Sequence, residues 1–177
     1  MDALRVLLPD TDATLELGRV LGELLREDGP GAIMLRGDLG SGKTTLMRGL
    51  VPALEGGEDA EVASPSFTIV NVYATVPPVL HADLFRCPPG FGVPEELEEA
   101  LDDSVLEDKT RGQLVFVEWP EHLSDGIMPA KRLDILLEPC QGSRRFSVVA
   151  YGDAAERVRV ALEERLRQIR PDWLQDG

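Results

Sequence analysis

The stretch Gly37-Asp38-Leu39-Gly40-Ser41-Gly42-Lys43-Thr44 limits what this chain can fold into more than any other. It fits the pattern G-x-x-x-x-G-K-[ST] and stands between an apolar run, Ala32 to Leu35, and a segment with helical spacing through Leu46, Leu50 and Leu54. The unbroken apolar run suits a central strand buried on both faces, so strand, loop and helix together predict an α/β unit. Glycines let such a loop adopt positive φ and bring backbone N–H groups up to phosphate oxygens, while the helix N-terminus adds its dipole. Lys43 is then placed to neutralise β and γ phosphates, and the Thr44 hydroxyl to ligate Mg²⁺. The chain has three lysines in all, so one in this position is informative. The competing reading is a glycine turn that only caps a helix, but background residue frequencies make a chance match an event of below about one per cent.

The rest of the sequence agrees with one α/β domain over residues 1–170. Strands are predicted at Leu4–Leu8, Phe67–Tyr73, Val79–Ala82, Leu114–Val117, Leu133–Leu137 and Phe146–Ala150, besides Ala32–Leu35. Helices are predicted from about Asp12 to Glu27 with Thr11 as cap, from Thr45 to Leu54 with Pro52 shortening it, and from Pro94 to Leu101. A last helix starts at a capping box, Asp153 with Glu156, and runs to Pro171; residues 171–177 read as a frayed tail. This is too many strands for a helical bundle. The expected architecture is a P-loop NTPase-like three-layer sandwich around a central, mostly parallel sheet.

Composition narrows the function classes. With 177 residues, 43% hydrophobic and 28% charged, the chain can bury one core without disulfides or structural metal. A formal net charge of -14 repels a phosphate backbone and disfavours unaided nucleic-acid binding. Cys87 and Cys140 lack the spacing of a zinc site or disulfide framework and read as reduced, buried thiols. The N-terminal residues have no basic region followed by an apolar run, and no stretch is long enough to span a bilayer, so a cytoplasmic location is expected.

A phosphate-binding loop of this kind needs acidic residues at the ends of neighbouring strands. Leu114-Val115-Phe116-Val117-Glu118 is an apolar run ending in an acid, which makes Glu118 the candidate for holding Mg²⁺ directly or through water. His81-Ala82-Asp83 ends another run and offers Asp83 as water-orienting base or outer metal ligand. The candidate catalytic set is therefore Lys43, Asp83 and Glu118, and either acid can be the group that orients water. Ser64-Pro65-Ser66-Phe67-Thr68 lies where hydroxyls could reach a γ-phosphate as a switch loop does. His81 reads as a structural hydrogen-bonding group, because His122 is the only other histidine and no metal cluster forms. Asn71 is the only asparagine and is not followed by lysine, so a guanine-selecting N-K-x-D loop is absent and ATP is preferred over GTP.

Four blocks taken in order carry a family likeness: Gly37 to Thr45, Ser64-Pro65-Ser66-Phe67, His81-Ala82-Asp83-Leu84-Phe85-Arg86, and Glu118-Trp119-Pro120-Glu121. With them the chain resembles the TsaE (YjeE) family of bacterial P-loop ATPases, which support threonylcarbamoyladenosine modification of tRNA. The first block is generic, but the four together are specific and cover most of the chain. The resemblance implies that Leu39, Gly40, Ser41, Gly42, Lys43, Thr44 and Thr45 hold the phosphates of ATP, that Thr44 and Glu118 serve Mg²⁺, and that Asp83 assists hydrolysis. Ser64 and Ser66 would form a nucleotide-sensing switch, Trp119 would sit beside the active centre, and Arg144 or Arg145 would lie near the base. It also implies a complex with the TsaD and TsaB proteins, in which the ATPase resets the synthase between turnovers and meets tRNA only indirectly. Three positions depart from the usual family pattern: serine for threonine at Ser66, phenylalanine for tyrosine at Phe85, and alanine near the usual glycine at Ala100. Serine keeps the hydroxyl; Phe85 loses the phenol's hydrogen-bonding tip.

Two other functions compete. A small-molecule kinase would use the same loop but wants an arginine-rich lid, whereas residues 88–110 are acidic with Lys109 the only base. A nucleotide-binding adaptor would use the loop without hydrolysis.

Overall fold

A computed structural model describes residues 3–29, 31–88, 92–102, 105–106, 112–124 and 126–175. Seven strands form one sheet: β1 (Leu4–Leu8), β2 (Ala32–Arg36), β3 (Val70–Tyr73), β4 (Val79–Asp83), β5 (Leu114–Glu118), β6 (Arg132–Cys140) and β7 (Ser143–Tyr151), in the order β1-β7-β6-β2-β5-β4-β3. The central strands β6, β2, β5 and β4 run parallel, and the flanking β1, β7 and β3 join antiparallel. The helices with defined bounds are α1 (Thr11–Asp28), α2 (Lys43–Leu50), α3 (Glu95–Ala100) and α4 (Asp153–Ile169). The architecture is the expected α/β sandwich.

Side-chain alternation divides the core into two layers. Ile33, Leu35, Leu114, Phe116, Val79, Ile135, Phe146 and Val148 face one side of the sheet, where they pack with Leu17, Leu21, Met47, Leu50 and Leu162 of α1, α2 and α4. Ala32, Met34, Leu80, Ala82, Val115 and Val117 face the other side, under Leu97 and Ala100 of α3. Since burial removes apolar surface from water at roughly 25 cal/mol per Å², this two-sided coverage explains why β2 and β5 are apolar at every position but the last.

Several element ends differ from the sequence reading for local reasons. Asp10, not Thr11, caps α1; its carboxylate accepts from the Ala13 N–H at 2.8 Å. The second helix starts at Lys43 and stops at Leu50, and Val51–Ala53 tightens into a 3₁₀ turn because Pro52 has no N–H to continue the ladder. The strand expected from Phe67 begins only at Val70, since the Ile69 N–H turns back to the Pro65 carbonyl at 2.6 Å and Ile69 takes a φ of 66°. The expected capping box of α4 does not form: Gly152 is the N-cap without a side-chain bond, and Glu156 pairs with Arg159 instead. β6 and β7 extend further than predicted because Gln141 and Gly142, both with positive φ, close them into a two-residue hairpin. Cys87 is buried as expected, but Cys140 at that hairpin is only half-buried; both are free thiols.

The tail also departs from expectation. Pro171–Trp173 forms a turn that buries the Trp173 indole, Leu174 bridges to Val6, and the Gln175 N–H donates to the Arg5 carbonyl at 3.1 Å. Residues 171–175 are therefore packed along β1 and not frayed; residues 176–177 lie outside the described set. So do Lys109 and residues 89–91, 103–104, 107–108 and 110 of the acidic segment. Among the described residues, no helix is long and apolar enough to cross a membrane.

Helix α2 carries the glycine loop and is held by close contact with α1. A Cβ at Gly49 would stand 2.0 Å from the Leu15 carbonyl oxygen, and one at Gly18 would stand 2.2 Å from that of Leu46. Gly49→Ala must therefore push the helices apart and is expected to destabilise the fold by about 1–3 kcal/mol. Urea unfolding would show this as a lower midpoint; an unchanged midpoint would refute the close approach.

Candidate functional site

Strand alternation and parallel register assemble the site. Leu35 lies opposite Glu118, and Glu118 opposite Asp83, so three adjacent strands end side by side. Asp83 and Glu118 lie on the α2 side of the sheet, the side faced by Leu35 and Phe116. The loop after β2 curls above these ends into α2. Its conformation requires glycine at two points. Gly37 has a φ of 128°, and a Cβ there would meet the Leu137 carbonyl at 2.2 Å; Gly42, the N-cap of α2, has a φ of 109°.

The resulting cleft, about 270 Å³, is lined by Leu39 through Thr45, Ser64, Ser66, Asp83, Glu118 and Trp119. Every phosphate-binding, metal-binding and catalytic candidate from the sequence thus lies at one place. Lys43 is buried and folded onto its own loop, donating to the Gly37 carbonyl at 2.5 Å and the Asp38 carbonyl at 3.1 Å. Burial pushes its ammonium below the ordinary lysine range, against the opposing pull of Glu118, Asp83, Glu121 and Asp38. The indole of Trp119 stands over this ammonium, 4.7 Å from Nζ to the ring centroid. Trp119 itself has a left-handed backbone, φ 58°, which swings its ring from the end of β5 toward the loop. Ser41 Oγ is buried with no hydrogen-bond partner among the described residues.

The two acids have different surroundings. Asp83 Oδ2 accepts from Ser64 Oγ at 2.6 Å and Ser66 Oγ at 2.5 Å, and Oδ1 accepts from the Phe85 N–H at 2.9 Å. Burial pushes this carboxyl up, but the two hydroxyls, the backbone N–H and nearby His81 together outweigh it and hold Asp83 below the usual carboxylate range. Glu118 Oε1 lies 2.9 Å from His81 Nε2, and both side chains are buried. His81, read from sequence as merely structural, thus touches a candidate functional carboxylate. No short-range pattern could have shown this, because the pair is 37 residues apart.

The structure also separates the two arginines left open by the sequence. Arg144 shares the face of Phe146, and its Nε lies 3.1 Å from where a Gly42 Cβ would be. Arg145 points the other way, toward Glu138 and the Cys140 sulfur. At the rim, Leu39 is 66% and Phe67 85% exposed, with Arg86 over the Phe67 ring at 4.3 Å; neither apolar side chain stood out in the sequence as exposed.

A parallel-centred sheet with a glycine loop passing from β2 into a helix, and acids at the ends of the next two strands, has the fold of the P-loop NTPase class. The crystal structure of YdiB from Bacillus subtilis has the same fold, with a TM-score of 0.67 and 23% identity, covering 93% of this chain and 96% of that one. The model of the family described as "Threonylcarbamoyl adenosine biosynthesis protein TsaE" matches residues 8–146. Proteins named tRNA threonylcarbamoyladenosine biosynthesis protein TsaE are similar over most of their length: that of Nostoc sp. is 33% identical over 149 residues, 83% of this chain and 86% of the relative. That of Haemophilus influenzae is 31% identical over 163 residues, 89% and 96% of the two chains. The chain belongs to the TsaE family.

Asp83 ties the Ser64–Ser66 segment to β4, so Asp83→Asn is expected to lower unfolding free energy at pH 7 by about 1–3 kcal/mol. The folded-state pKa lies below the unfolded value near 3.9. The contribution is therefore complete above roughly pH 5 and is lost as pH falls through the folded value. Urea unfolding at pH 7 and near pH 3 should show the gap between wild type and variant closing in acid; an equal gap at both would contradict the network.

Proposed function

We propose that the cleft binds ATP with Mg²⁺ and hydrolyses it, and that the chain is the ATPase subunit of the tRNA N6-threonylcarbamoyladenosine synthase, resetting the TsaD/TsaB complex between turnovers. Family membership already places the chain in threonylcarbamoyl adenosine biosynthesis. The observation that carries the finer reading is the shared cleft: loop amides, one ammonium, a threonine hydroxyl and two carboxylates converge there.

The residues fit both groups. A loop of backbone N–H donors at a helix N-terminus suits phosphate oxygens, and the orphaned Ser41 hydroxyl inside it is a donor still to be satisfied. Lys43 spends its donors on carbonyls of its own loop, a weaker arrangement than the charge-assisted bonds that phosphates would offer. Thr44 and Glu118 supply the hard oxygen donors that suit Mg²⁺. When bound, Mg²⁺ would supply charge neutralisation between the β and γ phosphates.

The acids divide the remaining work. His81 takes one oxygen of Glu118, which leaves the other for the metal side. Asp83 has both oxygens engaged while Ser64 and Ser66 point at it. In our reading these hydroxyls turn toward the γ-phosphate when ATP enters, and the freed Asp83 oxygen then accepts a proton from the water whose oxygen bonds to the γ-phosphorus as the bond to the departing ADP oxygen breaks. Lys43 is the one cationic side chain lining the cleft among the described residues. No arginine lines the cleft among the described residues, and such a group contributes about 10³ to 10⁵ in rate where present. The exposure of Leu39 and Phe67 beside the cleft supports the reading that a partner completes the site there.

ATP turnover is thus expected to be slow alone and to rise at least tenfold with TsaD and TsaB. Glu118→Gln is expected to lower kcat by about 10² or more while nucleotide is still bound. Equal rates with and without the partners would refute the subunit role, and unaltered kcat in the variant would refute the assignment of Glu118.

A further inference from the structure

We infer that His81 is a positioning residue for Glu118: its imidazole sets which carboxylate oxygen faces the phosphate cleft. This inference rests on the reading of the cleft as a Mg²⁺-nucleotide site. His81 has no exposed surface, and Glu118 is 3% exposed. The parallel pairing of β4 with β5 puts His81 opposite Phe116 and Asp83 opposite Glu118, so the imidazole lies one step below the carboxylate on the same side of the sheet.

The contact has a definite sense. A carboxylate only accepts, so Nε2 carries the proton and donates to Oε1 across 2.9 Å. Nδ1 is buried without a hydrogen-bond partner among the described residues. The ring is thus held from one edge by Glu118, while the face is covered by Tyr73, with centroids 6.4 Å apart and planes inclined by 28°. A buried carboxylate is costly unless hydrogen bonds compensate it. The His81 bond supplies that compensation on the oxygen directed into the sheet and leaves Oε2 to the cleft. A histidine retained for packing alone would not need its donor at this one atom.

The distinction can be tested with three substitutions. Glutamine carries an N–H donor at about the reach of Nε2, asparagine carries one too short to arrive, and leucine fills the space without a donor. Binding of a fluorescent ATP analogue is measured in EDTA and in a Mg²⁺ titration, with kcat and KM on the same proteins. Affinity in EDTA is expected to stay at the wild-type value throughout. His81→Leu and His81→Asn are expected to raise the half-saturating Mg²⁺ concentration or lower kcat by 10–100-fold, the usual effect of losing a bond that orients a metal-binding group. His81→Gln should recover most of the loss, and KM for ATP should move little.

In a Glu118→Gln background, His81→Leu should add almost nothing, because its effect passes through that carboxylate. Wild-type behaviour of a folded His81→Leu protein would overturn the inference, as would equal impairment of the glutamine and asparagine variants. Should His81→Leu fail to fold, the glutamine and asparagine pair still decides. A wild-type protein that shows no Mg²⁺-dependent nucleotide binding overturns the underlying reading as well, whereas a wild-type protein that binds and turns over with indifferent His81 variants overturns only this inference.

Discussion

Everything at the site depends on the in-phase parallel pairing of β2, β5 and β4. Because the three strands run the same way and pair without slippage, their carboxyl ends arrive at one level, and residues opposite one another project to the same side. A slip of one residue between β4 and β5 would turn Asp83 or Glu118 into the α3 layer and replace it with an apolar neighbour such as Ala82 or Val117. The hydrophobic layers prevent this. Ala82 and Val117 are fully buried against α3, and Phe116 against the α1–α2 layer, so the same burial that stabilises the sheet also holds the acids in register.

The loop above those strand ends is under opposing demands. It must bring backbone donors together, which leaves no room for a Cβ at Gly37, and it must hold an ammonium in a place where water is scarce. The second demand is met within the chain, by carbonyls of Gly37 and Asp38 and by the face of Trp119. Asp83 shows the same economy, closing its lone pairs with two serine hydroxyls and a backbone N–H. The ammonium and the carboxylate of the cleft are thus each held by polar groups of their own chain.

How much of this was legible beforehand varies with distance along the chain. The loop from Gly37 to Thr44 and the acid-terminated run to Glu118 are contiguous patterns, so the central βα unit and its carboxylates could be read directly. Contacts between distant segments could not. Ser64 and Ser66 gave no sign that they would bond Asp83, 19 and 17 residues away, and His81 gave none that it would reach Glu118. The frayed-tail expectation failed because a single tryptophan near a chain end carries no periodicity, yet the burial of Trp173 is enough to lay 171–175 along β1. Helix starts are hard to read where polar candidates stand close together: Asp10, not Thr11, caps α1, and Gly152 stands at the start of α4 with no side-chain cap.

The placement of Trp119 gives the molecule an intrinsic optical gauge. The sequence has two tryptophans, and Trp173 is sealed between β1 and the Arg170 guanidinium, far in sequence from the loop. Indole emission responds to nearby charge, so any event that draws the Lys43 ammonium from beneath the Trp119 ring changes one emitter against a steady background from the other.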